Sequence, residues 1–94
     1  MNMKHSSLLQ QFTALGDKTR YAIVLSMVQE KGLCVSEIAE TLSVTPAAIS
    51  QHMKILEQAG IIRAVRDGRK VCYALNQTTD TDALVTLIRK EETQ

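Results

Sequence analysis

Residues 43 to 60 read Ser43-Val44-Thr45-Pro46-Ala47-Ala48-Ile49-Ser50-Gln51-His52-Met53-Lys54-Ile55-Leu56-Glu57-Gln58-Ala59-Gly60. Thr45 offers a side-chain oxygen that can cap a helix, and Pro46 suits the first helical turn, where a missing N–H needs no partner. Gly60 tolerates the left-handed exit that closes a helix. The stretch therefore predicts a helix from Pro46 to Ala59. Within it Ile49, Met53 and Leu56 recur at i, i+4 and i+7 as one apolar stripe, and Ala47, Ser50, Gln51, Lys54 and Gln58 fall elsewhere. Such a small, hydrogen-bonding outer face fits a major groove about 12 Å wide and can meet base edges there. An ordinary solvated surface helix has the same pattern, so the helix alone leaves both readings open.

The residues that follow favour the first reading. Ile61 to Val65 is rich in β-branched residues, Arg66-Asp67-Gly68-Arg69 supplies an Asp-Gly turn, and Lys70 to Leu75 alternates Val71, Tyr73 and Leu75 on one face. This predicts a β-hairpin over about 61–75. Arg66, Arg69 and Lys70 crowd its tip, where their charges can lie along a phosphate backbone and fix a docking register without reading sequence.

Upstream, a helix over about 4–15 carries Leu8, Phe12 and Leu15 as a stripe with Leu9 beside it, and ends at Gly16. Asp17 caps a second helix through about Lys31. Its Tyr21, Ala22, Ile23, Val24, Leu25, Met27 and Val28 are apolar nearly all round, which places it at the centre. After Gly32, Leu33-Cys34-Val35 forms a short extended link to Ser36, the expected N-cap of a third helix carrying Ile38, Ala39 and Leu42. That helix, the turn at Ser43-Val44 and the helix from Pro46 make a helix-turn-helix over about 36–59, whose second helix is the one that enters a groove. A last helix over about 80–91 shows Leu84, Leu87 and Ile88 as a narrow stripe.

The predicted fold is thus mainly α with a small β wing. It is a winged helix-turn-helix in the order helix, helix, helix, helix, strand, strand, helix, with residues 1–94 as a single domain. Both terminal helices are half apolar and lie outside the reading unit, so they are expected to pack between two subunits of a symmetric dimer; folding back on their own chain is the alternative.

Composition agrees. Ninety-four residues allow one small domain, and 45% hydrophobic content with three aromatics calls for an aliphatic, mostly helical core. Net charge is only +1, but residues 43–76 hold Lys54, Arg63, Arg66, Arg69 and Lys70 against Glu57 and Asp67, and residues 77–94 hold two basic against four acidic residues. The positive charge sits on the reading unit. No run of 18 apolar residues and no apolar signal core are present, so a cytoplasmic protein without a membrane partner is expected. No glycine-rich phosphate loop, paired nucleophile and base, or pocket-forming carboxylate pair points to catalysis or to a cofactor.

Four segments together carry a family resemblance. Ala14-Leu15-Gly16-Asp17-Lys18-Thr19-Arg20, Leu33-Cys34-Val35-Ser36-Glu37-Ile38, Ile49 through Ile61, and Asp67-Gly68-Arg69-Lys70-Val71-Cys72-Tyr73-Ala74-Leu75 resemble, in order and spacing, the ArsR/SmtB family of winged-helix repressors. The likeness covers roughly residues 8–88. It implies a homodimeric transcription regulator, usually a repressor, that binds an inverted-repeat DNA operator and releases it when an effector binds or thiols react. On that resemblance Thr45, Ala47, Ala48, Ser50 and Gln51 are candidate base or phosphate contacts, and Lys54, Arg66, Arg69 and Lys70 lie on the backbone. His52 matches the His of the family's Ser-x-His-Leu pattern, with Met53 in place of Leu. It contacts phosphate or braces the helix, and its position beside Ile49 and Met53 favours bracing.

The departures matter as well. Metal-sensing relatives place Cys-Val-Cys where this chain has Cys34-Val35-Ser36, and no histidine follows His52, so a second metal site on the last helix cannot be built in its usual form. Without closely spaced Cys and His ligands, no tight tetrahedral zinc site within one chain is expected.

Two readings of Cys34 and Cys72 stand open. Cysteines in such a protein are commonly small buried hydrophobes. In winged helices, however, the link before the helix-turn-helix pairs with the second wing strand. With Leu33, Val35, Val71, Tyr73 and Leu75 inward, alternation would send Cys34 and Cys72 to the opposite face as cross-strand neighbours, a candidate redox or thiophile switch. A winged-helix module for protein or RNA binding, without an operator, is the alternative function, since fold does not dictate function.

Overall fold

The computed structural model describes residues 7–92, so the start of the first predicted helix, residues 4–6, lies outside the described residues. The elements are α1 (Ser7–Leu15), α2 (Lys18–Val28), α3 (Val35–Leu42), α4 (Pro46–Gln58), β1 (Ile62–Asp67), β2 (Lys70–Leu75) and α5 (Thr79–Glu92). This is the predicted winged helix-turn-helix order.

Local chemistry sets the boundaries. Asp17 caps α2 by accepting from the Arg20 N–H at 2.9 Å. The helix stops at Val28, short of the expected Lys31, because Glu30 takes the left-handed region at φ 58° and the Lys31 N–H turns back to the Ser26 carbonyl at 2.9 Å. Helix α3 begins two residues earlier than its expected cap implies. Its N-cap is Cys34, not Ser36, because Glu37 three residues on reaches back to accept from the Cys34 N–H at 3.0 Å and the Leu33 N–H at 3.3 Å. Ser43 then exits left-handed at φ 55°, which makes the tight turn into α4. There Thr45 accepts from the Ala48 N–H at 3.2 Å with Pro46 at the first turn, and Gly60 leaves at φ 82°.

The core is aliphatic. Ile23 and Met27 of α2, Ile38 of α3, Ile49, Met53 and Leu56 of α4, and Ile61 and Ile62 at the base of the hairpin are almost wholly buried. Each contributes on the order of 1.5–3 kcal/mol by leaving water. A polar thread that no periodicity signals crosses this body. Buried Gln11 donates to the Thr81 hydroxyl at 3.2 Å, and that hydroxyl donates to the Gly60 carbonyl at 3.3 Å. Asn76 donates to the same carbonyl at 2.7 Å. The thread fastens α1 and the start of α5 to the end of α4.

The hairpin is an antiparallel ribbon in the register Ile62↔Leu75 through Asp67↔Lys70. Its loop is Gly68-Arg69, one residue beyond the expected Asp-Gly centre, because Gly68 at φ 61° takes the first loop position as in a type II′ turn. Burial along β2 does not alternate. Lys70 and Val71 are exposed, Val71 by 56%, then Cys72 and Tyr73 are both buried, and Ala74 and Leu75 are half-buried. A ribbon packed only at its base has no inner face at its tip, so the expected inward Val71 is out.

The terminal helices divide their apolar residues. Leu84 and Ile88 of α5 are buried against their own chain, whereas Leu87 is 59% exposed with exposed Phe12 of α1 lining the same hollow, and Leu8 and Leu9 of α1 are exposed as well. No helix among the described residues is long and apolar enough to cross a membrane.

Candidate nucleic-acid interface and the thiol pair

Helix α4 is anchored by its inner face and open on its outer one. Ile49, Met53 and Leu56 are fully buried, while Ala47, Gln51 and Lys54 are exposed along one face and Ala48 and Ser50 are half-buried at its border. Thr45 is exposed, with its oxygen committed to the cap. His52 sits in a bracing position. Its Nδ1 lies 3.2 Å from the Arg20 guanidinium and 4.0 Å from the Asp17 carboxylate. The nearer arginine is a donor, so Nδ1 accepts from it, and Arg20 also donates to the Ala14 carbonyl at 2.8 Å. This cluster locks α4 to the start of α2. Sequence reading missed Arg20, which stands 32 residues away in the chain. The Asp17 carboxyl is held below its ordinary range by the Arg20 N–H, with the Arg20 charge adding to the effect.

Arg66, Arg69 and Lys70 are all exposed at the hairpin tip, as is Arg63 on β1. Lys54, Arg66 and Arg69 make no hydrogen bond or ion pair among the described residues. The structure therefore presents a small polar helix face and a cationic fingertip, in which the side chains of Lys54, Arg66 and Arg69 have no internal partner among the described residues.

Cys34 and Cys72 meet. They form a bridge across the link and β2, the Tyr73 N–H donates to the Leu33 carbonyl at 2.8 Å, and the two sulfurs are joined as a disulfide with Cα atoms 3.8 Å apart. The expected cross-strand pairing holds, but the expected outward face does not. Both residues are buried, because Cys34 covers Cys72 at the strand edge while Leu33 points to solvent. Beside them opens a cleft of about 680 Å³ lined by Leu33, Cys34, Glu37, Asp67 and Lys70 among others.

Glu37 at this cleft is held below its ordinary carboxylate range first by the Cys34 N–H, then by the Leu33 N–H, with Lys70 adding attraction. A depressed folded-state pKa means the contribution to stability is complete above the unfolded value of 4.5 and is lost as pH falls through the lower folded value. Urea unfolding of the native chain and Glu37→Gln at several pH values is expected to show a stability gap at pH 7 that closes below about pH 4.5. A gap that stays constant to low pH would contradict this role.

A family model described as "Bacterial regulatory protein, arsR family" matches residues 17–64, just over half the chain. The chain is 44% identical over 62 residues to the HTH-type transcriptional repressor SmtB of Mycobacterium tuberculosis, a match covering 66% of this chain and 45% of that protein. It is 34% identical over 73 residues to the transcriptional repressor SdpR of Bacillus subtilis, covering 78% and 80%. The chain thus matches less than half of the mycobacterial repressor's length and most of the Bacillus protein's. Among solved structures, HlyU from Vibrio cholerae superposes with a TM-score of 0.79 at 23% identity over the whole of both chains. The homodimeric winged helix-turn-helix domain Mb0332 from Mycobacterium bovis does so at 0.74 and 21% identity, over 93% of this chain and 79% of that one. Likeness at these identities shows the fold. The matched family is made of transcriptional regulators and not of enzymes, and at this extent of match the chain belongs to the arsR family of bacterial regulatory proteins.

Proposed function

We propose that this chain is a cytoplasmic, sequence-specific DNA-binding repressor that works as a homodimer on an inverted-repeat operator, with operator affinity set by the state of Cys34 and Cys72. The observation that carries the reading is the division of α4 into a fully buried stripe and an open face of Ala47, Gln51 and Lys54 bordered by Ser50, set in one chain with the exposed cations of the wing. In this reading α4 lies in the major groove with Thr45, Ala47, Ala48, Ser50 and Gln51 nearest the DNA. Lys54, Arg66, Arg69 and Lys70 follow phosphates, and His52 holds the helix in place.

The dimer rests on the apolar residues that the single chain leaves uncovered. Phe12 and Leu87, both exposed, border a hollow of about 260 Å³, and Leu8 and Leu9 are exposed elsewhere on α1. A second copy related by two-fold symmetry would cover this face and set two reading helices on successive turns of the duplex. The Mycobacterium bovis domain of the same fold is described as homodimeric, which supports the same arrangement here.

The thiol switch follows from position. A disulfide in a reducing compartment is characteristically transient or redox-sensing, and this one ties the entry of α3 to the wing, two parts that must keep a fixed relation for α4 and the fingertip to touch one duplex. Operator fragments selected from genomic DNA, titrated with reduced and oxidised protein, test the reading. Expected is a tight, salt-sensitive complex with one site and an affinity that differs between the two states, with the difference abolished in Cys34→Ser. Absence of any specific site at low salt overturns the repressor, and equal affinities of the two states overturn the switch alone.

A further inference from the structure

Asp67, the last residue of β1, brings a carboxylate to the two sulfurs. The ligand atoms of Cys34, Asp67 and Cys72 all lie within 4.8 Å of one another. The three residues are far apart in sequence, and the hairpin register puts Asp67 on the tip side of Cys72, while the bridge puts Cys34 across from it. The neighbouring acid, Glu37, is already engaged by two backbone N–H groups. The Asp67 carboxylate is exposed and has no hydrogen bond or ion pair among the described residues. Cys34 and Asp67 both line the 680 Å³ cleft, which gives an approach from solvent.

We propose that the reduced form of this pair is a metal site: the thiolates of Cys34 and Cys72 and the carboxylate of Asp67 bind one soft or borderline divalent cation, of the zinc and cadmium kind, per chain. Reduction by a thiol or phosphine reductant delivers two electrons and two protons to the disulfide and gives two thiols. The cation then displaces both thiol protons, so binding releases two protons and tightens as pH rises. Two sulfurs and one oxygen suit such a cation, with Zn–S near 2.3 Å and Zn–O near 2.0–2.2 Å, and leave a fourth tetrahedral position for water. Tetrahedral ligands at those bond lengths stand roughly 3.4–3.8 Å apart, so the sulfurs must part and the carboxylate closes in by roughly 1.4 Å or less.

The consequence deepens the proposed function and rests on it. Asp67 is the last residue before the Gly68-Arg69 loop, so a bound cation pins the fingertip that carries Arg66, Arg69 and Lys70 to the start of α3. The disulfide holds only Cys72, nearer the base. Oxidised and metal-loaded forms therefore fix the wing at different points.

The test titrates Cd²⁺ into phosphine-reduced, desalted protein under anaerobic conditions and follows thiolate-to-metal absorption, with no DNA present. Expected is saturation at one equivalent per chain and protection of both cysteines from alkylation. The band should be absent from the disulfide form and reduced to at most half its intensity in Cys72→Ser. Asp67→Asn, a residue at home beside a turn, should keep the sulfur band and lose at least about tenfold in affinity. No band in the reduced protein, an undiminished one in Cys72→Ser, or unchanged affinity in Asp67→Asn overturns the three-ligand site. Circular dichroism of each variant confirms that it is folded. Because the readout does not involve DNA, failure here leaves operator binding standing, and failure of operator binding leaves the metal site standing.

Discussion

Replacing Arg66, Arg69 and Lys70 together by alanine is expected to flatten the salt dependence of operator binding. In a dimer these side chains place six cations on the duplex, and each neutralised phosphate contributes about −0.9 to the slope of log affinity against log salt. Their removal should make the slope shallower by about 5. Between 50 and 200 mM salt those six contacts account for roughly a thousandfold loss of affinity, which the triple variant should no longer show. Stability should change little, within about 0.5 kcal/mol, because all three side chains are exposed and two of them, Arg66 and Arg69, have no partner among the described residues. Fluorescence anisotropy at four or five salt concentrations measures the slope. An unaltered slope in a folded variant would mean that the wing does not touch the backbone.

The opposite pattern is expected for Met53→Ala. Met53 is fully buried in α4 between Ile49 and Leu56 and belongs to the cluster that includes Met27 and Ile38. Truncation removes the transfer energy of the lost atoms and leaves a cavity, together costing about 2–5 kcal/mol. In a domain of this size each kcal/mol moves Tm by about 4–8 °C, so a fall of about 8 °C or more is expected at equal protein concentration. Thermal unfolding followed by circular dichroism reads it. A loss below about 1 kcal/mol would mean that α4 is not seated on the core as described.

Much of this was legible in the chain because α4 is locally consistent. Its cap, proline, apolar period and closing glycine all favour one helix, and the structure gives Pro46–Gln58 with Ile49, Met53 and Leu56 fully buried. The hairpin was equally clear in existence and less so in detail. Alternation places Val71 inward, a rule that applies where a strand packs along its length and fails at a tip that packs against nothing. Cys34 displaced Ser36 as cap because Glu37 reaches back to the N–H groups before the helix, a competition between neighbours that residue preference does not resolve. The meeting of Cys34 and Cys72 followed from strand pairing, but their burial did not. The Arg20–His52 brace, the Gln11–Thr81 thread and the approach of Asp67 to the sulfurs lay out of reach for a common reason: each joins residues that only the tertiary fold brings together.

Two copies of α4 and its wing acting on one symmetric site are the centre of the account, and the number of chains in the saturated protein–DNA complex tests it most directly. Sedimentation of the complex on the selected operator is expected to give two chains per duplex, with the tight complex lost when one half-site is scrambled. One chain bound at undiminished affinity to a single half-site would contradict it.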